Sequence, residues 1–108
     1  MSKKLTVTPG YGERTYYSVI WLLKRWQQIV DLIASGEFPN ASALSRRFGV
    51  VTKTINRDVE FIRRVVGHDI VYVSQCWGFA YRTKPKPRQL LQPRVKVRVW
   101  QDGRFRNA

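Results

Sequence analysis

The stretch Thr52-Lys53-Thr54-Ile55-Asn56-Arg57 gathers small polar and basic side chains at the start of one predicted helix. Asn and Arg are the residue types that pair bidentately with adenine and guanine edges in the major groove, and Thr and Lys reach phosphate. A helix whose first turns carry Thr52, Lys53, Thr54, Asn56 and Arg57 can therefore be pushed end-on into duplex DNA. Catalytic chemistry finds no comparable constellation. There is no Ser/His or Cys/His pairing, no paired carboxylates in a plausible pocket and no glycine loop to cradle phosphate. Cys76 and His68 are each the sole residue of their type, which excludes an intramolecular disulfide and a zinc site built from the two. The expectation is a binding protein, not an enzyme, with no cofactor and no metal.

Charge points the same way. The 108 residues carry 20 Lys and Arg against 7 Asp and Glu, a net +13. The sequence pI near 10.8 lies in the range of nucleic-acid binders. The excess is uneven: residues 82–108 hold nine Lys or Arg and one Asp, whereas residues 38–81 hold six against three. Sequence-independent attraction to phosphate is thus expected mostly from the C-terminal quarter, and base reading from the centre. Met1 to Pro9 is polar and has no apolar signal core, and no apolar run approaches the ~20 residues of a membrane span. A cytoplasmic protein is expected.

The elements that must position these residues follow from periodicity. Residues 1–16 show no period and read as a flexible N-terminal arm. From about Tyr17 to Ser35, Leu22, Trp26, Ile29 and Ile33 step by four, three and four, a helical stripe that ends at Gly36. Asn40 can cap a helix from Ala41 to Phe48, Gly49 allows a tight turn, and the next helix runs from about Thr52 to Val66. Its apolar face is Ile55, Val59, Ile62 and Val66, with Phe61 and Val65 widening it. The period then changes to two. Ile70–Val73 and Phe79–Arg82 read as a hairpin across Ser74-Gln75-Cys76-Trp77-Gly78.

Three helices followed by a hairpin predict a mainly α fold, a winged helix-turn-helix with a small β-hairpin wing over residues 17–83. Gln75, Trp77 and Arg82 would lie at or beside the wing, toward the DNA backbone or minor groove; packing of the Trp77 ring against the body is favoured over stacking on DNA. Lys84-Pro85-Lys86-Pro87-Arg88 opens a basic C-terminal extension, 84–108, with Lys84, Lys86 and Arg88 spaced for phosphate. Within it Arg94–Trp100 alternates basic and apolar residues, Asp102-Gly103 is a hairpin turn, and Phe105 returns, so a cationic β-ribbon or extended tail is expected.

The segment Ala43-Leu44-Ser45-Arg46-Arg47-Phe48-Gly49-Val50, followed by Lys53-Thr54-Ile55-Asn56-Arg57-Asp58-Val59, resembles the winged-helix domain that opens DeoR-type and WYL-domain bacterial transcriptional regulators. Gly67, Ile70, Tyr72, Gly78, Phe79 and Tyr81 continue the likeness, which covers about residues 17–82. The resemblance implies double-stranded DNA binding and gene control. It places Thr52, Lys53, Thr54, Asn56 and Arg57 toward DNA, Ser42 and Arg46 near the backbone, and Asp58 as a holder of Arg57 or a neighbouring amide. Three departures stand out. Val51 replaces the family's usual Ser cap, so Thr52 is expected to take over. Cys76-Trp77 occupies a wing where polar or basic residues are usual. Only 26 residues follow Arg82, too few for the family's effector domain, so ligand-controlled repression by this chain alone is not expected. A small repressor is the leading reading. The alternative is an accessory subunit of a nucleoprotein complex, with RNA or other protein subunits as partners. A homodimer through Trp21 or strand 94–100 is compatible with either.

Overall fold

The computed structural model describes the backbone of residues 11–107 and the side chains from Tyr17 onward. Helix α1 spans Tyr11–Ala34, so it takes in residues 11–16 of the expected arm, while residues 1–10 lie outside the described residues. Trp26, Ile29, Val30, Ile33 and Ala34 form its buried stripe. Gly36, at φ 85°, then turns the chain through the left-handed region that a Cβ disfavours.

Helix α2, Ala41–Phe48, starts at Asn40, whose Oδ1 accepts from the Ala43 amide at 2.8 Å. It ends at Gly49, and the Gly49 amide donates to the Ser45 carbonyl at 2.9 Å. Helix α3, Thr52–Phe61, buries Ile55 and Val59, and continues as a π-helical turn over Ile62–Val66. That wider turn explains why Val65, expected to broaden the apolar face, is instead 66% exposed. The wider turn rotates the last positions off the helical stripe. Phe61 stacks on Trp26 with ring centroids 4.6 Å apart, closing the α1–α3 contact at its edge.

The expected mainly α fold with a small wing is overturned by the strands that succeed the helices. Strand β1, Ile70–Val73, and strand β2, Gly78–Tyr81, form an antiparallel hairpin. Strand β3, Arg98–Gln101, lies parallel to β2 with Tyr81 opposite Val99, and strand β4, Arg104–Asn107, returns antiparallel. The result is one four-stranded mixed sheet in the order β1-β2-β3-β4. The chain is therefore a small α/β domain: three helices, then a sheet that ends the chain.

The physical reason lies in two incomplete surfaces. A hairpin alone leaves a row of unpaired backbone groups on β2, and an isolated two-stranded ribbon is marginal in water. Joining them satisfies both. Val97 and Val99 are buried in the same core as Tyr81, Leu91, Ile29 and Ile33, so the alternating segment is part of the body and not a cationic tail. The crossover between β2 and β3 is laced to the helices. Gln27 donates to the Gln92 carbonyl at 3.0 Å, the Arg94 amide donates to Asp31 at 2.9 Å, and Gln89 donates to the Gly67 carbonyl at 2.8 Å. Trp100 and Phe105 clasp Phe38 with centroid distances of 5.2 and 4.8 Å, tying the second hairpin to the α1–α2 connection.

Candidate nucleic-acid interface

Two short helices hinged at Gly49 place the polar start of α3 at the surface. Thr52, Lys53, Asn56 and Arg57 are exposed and Thr54 is half-buried, while Ile55 and Val59, one helical face away, are in the core. On α2, Ser42 shares a cleft with Asn56 and the exposed Arg46 lies one turn farther along, whereas Arg47, also exposed, lies toward α1 beside Asp31 and Glu37.

The electrostatics of this tip depend on where its acids go. Asp58 does not hold Arg57 or a nearby amide, as the resemblance implied. Its buried carboxylate accepts from Arg25 of α1 twice, at 2.6 and 3.2 Å. Glu60 is taken by Arg63 at 3.2 Å and by Arg64. Among the described residues, Arg46, Lys53 and Arg57 make no ion pair. Three cations left without local counter-charge beside a helix start suit phosphate.

Thr52 does not cap α3. The cap position is Val51, with no side-chain hydrogen bond, so the first-turn amides have no side-chain acceptor. The positive end of the helix dipole is thus uncompensated within the described residues. A Ser at Val51, which is 66% exposed and contributes nothing to the core, would supply the missing acceptor. Val51→Ser is expected to raise stability by about 1 kcal/mol, or a melting temperature roughly 4–8 °C higher for a domain of this size. An unchanged thermal melt would show that the hydroxyl does not reach the Thr54 or Lys53 amide.

The β1–β2 turn sits against the start of α2. Asn40, besides capping α2, donates from Nδ2 to the Trp77 carbonyl at 3.1 Å, and the Phe79 amide donates to the Pro39 carbonyl at 2.8 Å. Gly78 is required between them: a Cβ there would fall 1.9 Å from the Phe38 carbonyl oxygen. The favoured packing of the Trp77 ring is corrected here. Backbone contacts pin the turn, and the indole is 74% exposed on a residue held at φ 55°. Gln75 is exposed in the same turn.

Tyr72 and Phe79 face each other across the hairpin, ring centroids 5.6 Å apart, on the side that also carries Ile70 and Tyr81. Farther along the strands that side covers the core. Near the turn it overhangs the helices and, with Asn40, Ala41, Ser42 and Asn56, lines an open cleft of about 410 Å³. Tyr72 is a further site residue that the sequence-based set lacks; its parity with Ile70 is the available signal.

The remaining candidates lie elsewhere. Arg82 is partly neutralised, its Nε 3.1 Å from Asp69 Oδ2. Lys84, Lys86 and Arg88 lie on the crossover, and Lys84 shares a second cleft of about 330 Å³ with Gln92, Lys96 and Asn107. The structure thus divides the expected site between two surfaces, one at α2, α3 and the first hairpin turn, the other at the crossover and ribbon.

His68 and Tyr81 serve neither surface. The buried His68 Nδ1 lies 2.6 Å from the Tyr81 hydroxyl. Burial lowers the His68 pKa and raises that of Tyr81, keeping both neutral. Among the described residues no three of His, Cys, Asp and Glu gather as metal ligands, and no helix is long and apolar enough to cross a membrane. Comparison of the chain with family models, with curated proteins and with solved structures gives no match.

Proposed function

We propose that the protein binds double-stranded DNA, with the start of α3 in the major groove and Asn56 and Arg57 reading base edges. The observation that carries this is the α2–α3 tip, where Arg46, Lys53 and Arg57 stand without an acidic partner while Asp58 is turned inward to Arg25. Lys53, Thr52 and Ser42 supply phosphate contacts, and the exposed turn at Gln75 and Trp77 approaches the backbone beside them. The Thr54-Ile55-Asn56-Arg57-Asp58 likeness to DeoR-type regulators adds to the reading. In this reading the bound protein acts by occlusion: a small cytoplasmic repressor that closes its site to polymerase. Its role is binding, not catalysis.

Selection from a random duplex library at fixed salt tests this. Asn56→Ala or Arg57→Ala is expected to relax the selected sequence at one or two positions and to cost about 1–3 kcal/mol on the best site. Identical preferences in the native chain and both variants would remove these residues from base readout.

The second cationic surface, Lys84, Lys86, Arg88 and Lys96, favours a further reading, an accessory subunit of a nucleoprotein complex that touches two nucleic-acid segments or RNA. Structured RNA that outcompetes every selected duplex at the same salt would support that reading over the repressor.

A further inference from the structure

The cleft between the first hairpin and the helices is built differently from a phosphate-binding surface. Its hairpin wall is aromatic: Tyr72, 54% exposed, stands edge-to-face against Phe79. Its helical wall is polar, with Ser42 and Asn56, whose side chains make no hydrogen bond among the described residues. Asn40 also lines it, but both ends of its amide are engaged, by the Ala43 amide and the Trp77 carbonyl. Asn56 therefore supplies the free donor and acceptor pair.

We propose that this cleft holds one unpaired DNA base, stacked on Tyr72 with its edge hydrogen-bonded by Asn56, which on such a duplex leaves paired-base reading to Arg57, so that the protein prefers a duplex with an extruded or bulged nucleotide. The inference rests on the DNA-binding reading above and names a substrate feature of the same site. An aromatic face accepts any base, and a free amide opposite it reads the edge that unpairing exposes. The volume, about 410 Å³, is within the range of small-ligand sites and is roomy enough for a planar base. The sugar-phosphate at either side would run toward Lys53 and Arg57 on α3, cations without an acidic partner of their own. Asn56 lies on the same helix that enters the groove, so a base leaving the stack there has a short path to the cleft.

The walls are also preorganised. Gly78 lies against the Phe38 backbone with no room for a side chain, and the Trp77 carbonyl and Phe79 amide are hydrogen-bonded to the Asn40–Pro39 corner. Trp77 is held in the left-handed region with its indole turned to solvent at the end of this wall. Backbone strain that orients an exposed aromatic ring is a feature of ligand-contacting turns.

The test uses the full chain and two versions of one selected duplex, fully paired and carrying a single unpaired 2-aminopurine. The bulged duplex is expected to bind more tightly than the paired one, with 2-aminopurine emission quenched on stacking. Tyr72→Ala should bring the ratio of the two affinities toward one, a loss of roughly 5- to 150-fold from the value of a base–aromatic stack. Tyr72→Phe, which keeps the ring, should preserve both the ratio and the quenching. Should Tyr72→Ala fail to fold, Tyr72→Leu, apolar but unable to stack, is expected to lose the ratio in its place. Tight binding to both duplexes with a ratio of one and no quenching would overturn the base site and leave the DNA-binding reading standing. A ratio that survives both the Ala and Leu substitutions would also overturn it. Binding to neither duplex would overturn both readings and leave the cleft to a protein partner.

Discussion

Asp58→Ala is expected to cost about 3–5 kcal/mol of folding stability, a large share of the roughly 5–15 kcal/mol that holds a small domain together. The Asp58 side chain is 6% exposed and that of Arg25 20%, so the pair lies mostly out of water. Removing the carboxylate leaves the guanidinium desolvated and without its two acceptors, which is costlier than never having had the pair. The remaining access of Arg25 to solvent places the effect toward the lower end of the range. Replacing both partners by Leu should recover much of the loss, since neither charge is then stranded. Urea midpoints of the two single variants and the double variant measure this. A single variant within ~0.5 kcal/mol of the native chain would mean that water already screens the pair. Arg25 and Asp58 join α1 to α3 across 33 residues of chain.

Truncation after Thr83 is expected to abolish cooperative folding. From sequence, loss of residues 84–108 would only weaken binding to all duplexes and flatten the salt dependence. The structure changes that expectation. Leu91, Val97 and Val99 are buried with Tyr81 and α1. At about 1.5–3 kcal/mol for each buried aliphatic side chain, these three alone reach the scale of a small domain's stability. Their removal would also uncover Tyr81, which is fully buried, and leave β2 with an open edge. Circular dichroism and a thermal melt of residues 1–83 read the outcome directly. A sharp transition with native helix content would show that the helices and first hairpin fold without the second.

The helices and the first hairpin were legible because their signals are local. Ile55, Val59 and Ile62 repeat at helical spacing along one stretch of chain, Asn40 and Gly49 mark helix ends within a few residues of their partners, and Ile70 to Val73 is a local run of β-branched and aromatic residues. The π-turn at Ile62–Val66 was not legible, because nothing in Ile-Arg-Arg-Val-Val distinguishes it from an ordinary last turn. Nor was the fate of Asp58: an acid beside Arg57 in sequence points away from it in a helix, toward whichever element packs on that face.

At the candidate site, residue types could be named in advance but their grouping could not. Exposure at Thr52, Lys53, Asn56 and Arg57 follows from the phase of the α3 stripe. Tyr72 and Asn56 line one cleft only because Asn40 and Gly78 bring the turn of one hairpin against the start of α2. The strain at Trp77 likewise depends on where that turn is anchored, which its own four residues do not specify.

Composition and periodicity by themselves determined a cationic chain, helical stripes, a hairpin and a helix start that is polar and basic. Tertiary structure alone decided that the Val97 and Val99 face belongs to the core, that β3 lies parallel to β2, and that Arg25 takes Asp58 out of the charge balance of the tip. The reason is range. An alternating or helical pattern declares that a face must be covered, because water excludes it, but which distant surface covers it is settled only when all such faces compete for one core.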